Sequence, residues 1–385
     1  MAVDVFLQIP ASQSQLHQQY LTLRDSPAYE PARLVLKELQ QSFIDPDGNF
    51  VEQFQTTGFD SRTYELFLYA MFMESGHHIE RGQRSPDFLL SKDGVTAGVE
   101  AVIAAEPSNQ GVVPYQAIGE EKTEEEMLNE IRHTLPVRLG SPLFTKLQKK
   151  YWEQPHMAGH PLVFAIQDFH RPGALNSSSV ALSQYLYGQE HKWYFTEKGE
   201  LVISSTPLDH HEGHKRIPSG FFKQPGAENV SAVLFCNTGT IPKFARMGQQ
   251  GKYRSDGVRM IRYGFCYDHD PNAAVPQPFL YEVGDPESGV ETWREGTVLM
   301  HNPAALHPLE RGWFGSAIEE RWADNQIITT MFETFVPYSS MTTMFDSQTP
   351  QEKLQDFANE ATTVMSTEYE RQKAARYSKG GRPYR

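Results

Sequence analysis

Residues 86–104 read PDFLLSKDGVTAGVEAVIA and predict two buried strands joined by a tight turn. Lys92-Asp93-Gly94 has the composition of a hairpin turn, because aspartate and glycine tolerate the left-handed backbone that such turns use. Each predicted strand carries one acid among apolar residues: Asp87 opens the first strand, and Glu100 interrupts the second. A buried carboxylate without a partner is unfavourable, so both acids need a compensating group.

A third acid lies in an apolar helix predicted over residues 61–75. Glu65 is followed at helical spacing by apolar residues, which places its carboxylate on the buried side of the helix. Three acids at predicted buried positions indicate a shared partner, most simply a divalent cation. Each acid has an alternative partner in an arginine close in sequence. These arginines are Arg62, Arg81 and Arg84.

The predicted elements follow one another in the order helix, three strands, helix and strand. The three strands are expected over residues 77–81, 87–91 and 95–104. An acidic helix is expected over about 121–133, a basic amphipathic helix over about 142–154 and a buried strand over 161–166. The amphipathic helix would bury Phe144, Leu147 and Tyr151 on its apolar side.

These patterns divide the chain into five segments. An N-terminal helical segment covers residues 1–55, and a core covers residues 56–190. A β-rich region, with many short strands and frequent glycine and proline turns, covers residues 191–345. A C-terminal helix over residues 346–370 and a basic tail over residues 371–385 follow it.

The composition fits a soluble globular protein. The chain has 385 residues, of which 39% are hydrophobic and 22% are charged, so it can bury a large core. No apolar run is long enough to cross a bilayer, and we therefore expect no membrane partner. Cys236 and Cys266 are the only cysteines, which suits a reducing compartment. We expect a cytoplasmic location.

Charge is unevenly distributed along the chain. The net charge is −13, which repels a polyanion at long range. Residues 371–385 carry six basic residues and no acid, so residues 1–370 have a net charge of about −19. The basic tail therefore has two interpretations, a phosphate-binding segment or a solvated chain end.

The order of the elements, with an acid on each of three of them, resembles the restriction-endonuclease-like fold of PD-(D/E)XK nucleases. The matching residues are Glu65, Pro86-Asp87 and Val99-Glu100, and thirteen positions separate the two strand acids. The resemblance covers about residues 60–170. It implies an α/β protein with a nuclease-like core, in which a central mixed sheet is flanked by helices, and a β-rich C-terminal elaboration.

The whole chain is also similar to an uncharacterised bacterial family, through residues 47–54 (DGNFVEQF) and 163–170 (VFAIQDFH). Some members of that family carry the label "glycosaminoglycan attachment site". The Ser-Gly pairs of this chain lack the further glycine that such a site uses, so the label has no weight here. These pairs are Ser75-Gly76, Ser219-Gly220 and Ser288-Gly289.

The nuclease resemblance implies a metal-dependent endonuclease that hydrolyses DNA. Asp87 and Glu100 would bind Mg²⁺ or Mn²⁺, and Glu65 would hold a metal-bound water or a second ion. Restriction, repair and defence against foreign DNA are the processes that such an enzyme would serve. RNA stays open as a substrate, and a homodimer would suit the cleavage of two strands.

One position departs from the family pattern. The lysine that normally stands two positions after the glutamate is replaced by Val102. Lys146 is the first substitute and Lys149 the second, because the helix that carries them should pack beside the strand of Glu100. Both lysines have the alternative of a solvated surface position. If neither takes the role, the chain is a catalytically inactive nuclease-fold protein that serves as a nucleic-acid-binding or protein-interaction module.

Three other patterns give weaker signals. Residues 209–214, DHHEGH, have metal-ligand types in a proline-flanked loop, without the helical spacing of a zinc protease. Lys243 and Arg246 predict either a phosphate site or a structural turn. Gln167 and Asp168 either line the acidic site or end a strand. A carboxylate-based sugar hydrolase ranks last, because no aromatic platform adjoins the acids.

Overall fold

A mixed eight-stranded sheet is the largest element of the fold. The computed structural model describes residues 4–104, 124–169, 179–273 and 275–378. The strands of these ranges are, in chain order, β1 His78–Glu80, β2 Phe88–Lys92, β3 Val95–Ala104, β4 Leu162–Asp168, β5 Gln189–Phe195, β6 Leu201–Pro207, β7 His210–Glu212, β8 Arg216–Pro218, β9 Ala232–Cys236, β10 Val258–Cys266, β11 Gln277–Glu282, β12 Thr297–His301, β13 Ile318–Ala323, β14 Gln326–Met331 and β15 Pro337–Asp346. The main sheet has the strand order β1-β2-β3-β4-β9-β12-β13-β14.

Helices flank this sheet. In chain order the helices of the described ranges are α1 Gln18–Asp25, α2 Glu30–Leu39, α3 Phe50–Gln55, α4 Phe59–Glu74, α5 Glu124–Asn129, α6 Leu135–Leu147, α7 Val180–Tyr187, α8 Ile241–Gln249 and α9 Gln351–Ser378. A π-helical turn, Glu130–Thr134, joins α5 to α6. The expectation of an α/β protein with a central mixed sheet flanked by helices is therefore confirmed.

Strand alternation places the two faces of the sheet against different helices. Phe88 and Val99 belong to the core that contains α4, whereas Leu89 and Val102 belong to the core that contains α6 and α7. Every residue of β4 is buried, because helices cover both of its faces. Side chains at alternate positions of β2 and β3 are thus directed towards either α4 or α6.

The predicted hairpin is formed by β2 and β3, with Lys92 paired to Val95. Asp93 and Gly94 have φ angles of 51° and 78°. Two left-handed residues make a turn whose twist matches that of the flanking strands, and aspartate and glycine adopt this backbone readily. α4 begins and ends within two residues of its predicted bounds, and Gly76 just beyond it has a φ of 75°. Local chemistry therefore accounts for this part of the fold.

The basic helix lies earlier in the chain than predicted. α6 spans Leu135–Leu147 and not 142–154, with Pro142 in its interior. Proline removes one backbone hydrogen bond from a helix, yet tertiary burial of the surrounding apolar residues overrides that loss. Beyond the helix, Tyr151–Glu153 form a short 3-10 turn.

This shift changes which side chains of α6 face the sheet. Leu135, Leu139 and Leu143 are buried at helical spacing. Lys146 follows Leu143 by three positions and continues the same stripe towards the sheet. Phe144, which was expected on the buried side, is 46% exposed.

The C-terminal helix is longer than predicted. α9 continues to Ser378, so Arg371 of the predicted basic tail is helical, and its guanidinium lies 2.7 Å from the Glu368 carboxylate. A pair at this spacing supports a helix, and no glycine or proline interrupts the sequence before Gly380. Residues 379–385 of the tail and residues 121–123 of the expected acidic helix lie outside the described residues.

The β-rich region contributes four strands to the main sheet, namely β9, β12, β13 and β14. It also forms a three-stranded sheet, β11-β10-β15, and two small hairpins, β5-β6 and β7-β8. α9 packs on the three-stranded sheet, where Phe357 contacts the rings of Tyr263 and Phe345. Among the described residues, no helix has the length and apolar character that a membrane span requires.

Candidate metal centre

Asp87 and Glu100 lie next to each other on neighbouring strands. Phe88 pairs with Val99 across the hairpin, so the next position in the register brings Asp87 opposite Glu100. Both side chains fall on the α6 face of the sheet, since they alternate with Phe88 and Val99, which face α4. Oδ2 of Asp87 accepts a hydrogen bond of 2.8 Å from the backbone N–H of Ala101. The hairpin therefore brings together the two strand acids that the sequence singled out.

Glu100 is buried and is held by two donors. Its Oε1 accepts hydrogen bonds from Nζ of Lys146 at 2.5 Å and from the hydroxyl of Tyr151 at 2.6 Å. The expected approach of the Lys146 helix to the Glu100 strand is thus present. Tyr151 was predicted only as an apolar residue of a helix, and its hydroxyl contact gives no local sequence signal.

Lys149 does not reach the acids. Its side chain is exposed, two positions after α6 has ended at Leu147 and three positions after Lys146. The buried stripe of α6 passes through Lys146, so a residue three positions later, beyond the helix end, no longer faces the sheet. Lys149 as a substitute for the missing motif lysine is corrected to a surface position.

Glu65 has arginine partners. It is 2% exposed, and its two carboxylate oxygens accept hydrogen bonds from Arg62 at 2.5 Å and from Arg81 at 3.0 Å. The Arg81 guanidinium lies between the rings of Phe43 and Phe88, 4.0 Å and 4.6 Å from their centroids. Both oxygens of Glu65 therefore have an arginine partner, so the arginine alternative is present at this position.

The three acids consequently do not form one ligand set. Within the part of the chain that the structure describes, no group of three or more His, Cys, Asp or Glu side chains is close enough to hold a metal ion. Asp87 and Glu100 are the pair that lies together at the candidate metal centre, and Glu65 stands beside them with arginine partners. Glu65 remains near enough to affect Asp87 electrostatically.

The closeness of Asp87 and Glu100 affects the pKa of Asp87. The pKa of Asp87 is raised to about 8, chiefly by burial and also by the negative charges of Glu65 and Glu100, whereas the Ala101 N–H and Lys146 act to lower it. Burial also raises the pKa of Tyr151, with Glu100 contributing, so the Tyr151 hydroxyl remains a donor. A cation between Asp87 and Glu100 would relieve this repulsion.

The donor set fits a hard divalent cation. Among the described residues no hydrogen bond is made to Oδ1 of Asp87 or to Oε2 of Glu100. Mg²⁺ typically takes one or two carboxylates and fills its remaining positions with water and substrate oxygens. Asp87 and Glu100 are therefore the residues that would hold Mg²⁺ or Mn²⁺.

The pKa of Asp87 predicts a pH-dependent stability. Without metal, Asp87 of the folded state keeps its proton up to a pH of about 8, whereas in the unfolded state it loses the proton near pH 3.8. The free energy of unfolding therefore falls as the pH rises from 3.8 to about 8. Asp87→Asn removes the effect and should be more stable than wild type above pH 8, on the order of 2–4 kcal/mol after screening by solvent, with no advantage near pH 4. Denaturant unfolding with EDTA at both pH values measures this. Asp47→Asn is the control, because the Asp47 side chain is 44% exposed, and equal pH profiles for wild type and Asp87→Asn would contradict the assignment.

The weaker sequence candidates have structural roles. Lys243 and Arg246 are buried and bind Glu291 at 2.6 Å and 2.8 Å, so they are not available to a phosphate. Gln167 exchanges two hydrogen bonds with the backbone of Gly239 and does not line the acidic site.

His211, from the 209–214 pattern, is also buried. Its ring nitrogens contact the carbonyl oxygen of Arg132 at 2.6 Å and the hydroxyl of Ser219 at 2.7 Å. Both ring nitrogens therefore have partners, which leaves no ligand atom for a metal.

Comparison of the chain with protein-family models, with curated proteins and with solved structures gives no match.

Proposed function

We propose that the protein is a metal-dependent nuclease that hydrolyses DNA phosphodiester bonds at the Asp87–Glu100 centre. The observation that carries the proposal is the pair of carboxylate oxygens on adjacent strands, with Lys146 bonded to Glu100 at 2.5 Å. Two acids and one lysine are the residue types that a nuclease of this kind requires. Here the lysine comes from α6, whereas the family motif takes it from the strand.

Each residue has a defined task in this proposal. A bound Mg²⁺ ion would polarise a phosphoryl oxygen and lower the pKa of an attacking water. Asp87 and Glu100 hold the ion at the face of the sheet that α6 covers. Lys146, whose side chain is 23% exposed, lies beside Glu100 and would stabilise developing negative charge on the phosphate. Glu65, which pairs with Arg62 and Arg81, adds negative charge near Asp87.

The topology supports a restriction-endonuclease-like core. The elements α4, β1, β2, β3, α6 and β4 occur in the order that the resemblance implies, and their strands are neighbours in the order β1-β2-β3-β4. β3 and β4 are parallel, while β1 to β3 form an antiparallel meander. This arrangement brings α6 to the face of β3 that carries Glu100.

DNA is the proposed substrate, with RNA as the alternative polymer. Because the net charge is −13, the protein as a whole repels DNA, and binding must depend on basic side chains that contact the phosphates locally. The basic tail is the first candidate for phosphate contacts. A cytoplasmic location, a homodimer and a role in restriction, repair or defence belong to the same proposal.

A second candidate function is a nucleic-acid-binding or protein-interaction module without catalysis. It is favoured by Val102, which is 2% exposed and packs in the apolar core beside α6, so no strand lysine is present. Cleavage separates the two functions. Purified protein with Mg²⁺ or Mn²⁺ is expected to nick supercoiled plasmid, and EDTA is expected to stop it. Binding of DNA without any cleavage of plasmid, single-stranded DNA or RNA would leave only the second function.

Lys146 and Lys149 provide a matched pair of variants. Lys146→Ala is expected to lower the cleavage rate about 10²-fold or more, because it removes the lysine that contacts Glu100. Lys149→Ala removes the same charge from the solvent-exposed turn and is expected to change the rate less than about threefold. Single-turnover plasmid nicking measures both. Equal rates for the two variants would remove Lys146 from the mechanism.

A further inference from the structure

Residues 151–157, which we call the 151–157 segment, contact the candidate metal centre from one side. Tyr151 is 1% exposed, and its hydroxyl donates to Oε1 of Glu100 at 2.6 Å. Lys146 donates to the same oxygen. Two donors on one oxygen fix the rotation of the carboxylate and leave Oε2 as the oxygen available to a metal ion.

The same segment also holds the backbone in front of Asp87. The side-chain amide of Gln154 donates to Oγ of Ser85 at 2.8 Å, and Nε2 of His156 lies 2.9 Å from the carbonyl oxygen of Ser85. Ser85 precedes Asp87 by two positions. The 151–157 segment therefore contacts both Glu100 and the turn that precedes Asp87.

Close packing makes the segment part of the sheet surface. Met157 is fully buried and lies so near Gly98 that a Cβ atom there would be 2.5 Å from Cε of Met157. A side chain at position 98 would require Met157 and Pro86 to shift, so glycine suits the close approach of the segment to β3 two residues before Glu100. Side chains packed this tightly hold their orientation.

We propose that the 151–157 segment is the positioning element of the candidate metal centre, with Tyr151 as its main positioning residue. This inference rests on the proposed metal-binding function of Asp87 and Glu100. Tyr151 fixes Oε1 of Glu100, and Gln154 fixes the turn of Asp87, so both ligands are preorganised for one cation. Outer partners of metal ligands typically contribute about 10–100-fold to metal affinity.

The test is Mn²⁺ affinity, measured by electron paramagnetic resonance on the full chain. Tyr151→Phe is expected to weaken Mn²⁺ binding about 10–100-fold. Tyr185→Phe is the matched control, because Tyr185 is also buried, while its hydroxyl accepts a bond of 3.5 Å from Gln224 on a different element. Tyr185→Phe is expected to bind Mn²⁺ as wild type does. A purely structural role for Tyr151 would lower thermal stability and leave Mn²⁺ affinity unchanged.

Three results decide the matter. Equal Mn²⁺ affinity in Tyr151→Phe and wild type overturns the positioning role while the metal centre stands. Equal affinity in wild type and Asp87→Asn overturns the metal centre and the inference with it. If Tyr151→Phe does not fold, Gln154→Ala replaces it: a loss of Mn²⁺ affinity of about threefold or more supports the inference, and wild-type affinity overturns it.

Discussion

Asp87→Ala and Glu100→Ala are each expected to lower Mg²⁺-dependent DNA cleavage about 10³-fold or more, equivalent to about 4 kcal/mol of transition-state stabilisation. Asp87 and Glu100 each keep a carboxylate oxygen that accepts no hydrogen bond from the described residues, and each change removes one of these carboxylates. With one carboxylate left, the ion would be held weakly and without a fixed position relative to the phosphate. Rates of plasmid nicking at saturating Mg²⁺ measure the effect.

Two acids outside the centre control for the loss of negative charge. The side chains of Asp47 and Glu80 are 44% and 60% exposed, so Asp47→Ala and Glu80→Ala are expected to cleave within about twofold of wild type. Circular dichroism on all four variants establishes that they are folded. Cleavage that persists in both Asp87→Ala and Glu100→Ala would place the active site elsewhere.

Glu291→Gln is expected to destabilise the protein by about 3–5 kcal/mol, because it leaves buried cations without their main counterion. Glu291 lies 2.6 Å from Lys243, 2.8 Å from Arg246 and 3.3 Å from Arg262. These cations hold the pKa of Glu291 well below its usual range, although burial alone would raise it. Since globular proteins are typically stable by about 5–15 kcal/mol, this one substitution removes a large part of the total. Urea unfolding monitored by tryptophan fluorescence measures the change.

Glu282→Gln is the matched control for this effect. Glu282 also pairs with an arginine, Arg259 at 2.6 Å, but its side chain is 34% exposed, so we expect a loss of less than about 1 kcal/mol. A Glu291→Gln protein as stable as Glu282→Gln would show that the buried cations are neutralised in another way. Glu295, which pairs with Arg262 at 2.8 Å, is an acid of this cluster that could do so.

Part of the centre could be predicted because its geometry is local. The hairpin depends on Asp93 and Gly94 at the turn and on apolar runs on either side, and it alone brings Asp87 and Glu100 together. α4 was predictable for a similar reason, since its apolar run ends at a glycine with a left-handed backbone. Neither prediction needed knowledge of distant residues.

The corrections share a different origin. α6 begins seven residues before its predicted start, because burial against the sheet keeps Pro142 inside a helix. Glu65 pairs with Arg81, which directly follows β1 and whose guanidinium contacts the rings of Phe43 and Phe88. Lys243 and Arg246 form ion pairs with Glu291, which lies 48 and 45 positions further along the chain. In each case the deciding partner comes from another element.

The sequence by itself determined the mixed α/β class, the hairpin and the pairing of its two acids, since turn chemistry and strand alternation act over a few residues. Only the tertiary structure decided which charged groups are neutralised and which remain available. Lys146 and Tyr151 reach Glu100 across 46 and 51 positions of sequence, and no local pattern encodes such contacts. The physical reason is that a buried charge must find its partner in space, and the fold determines which partners are near.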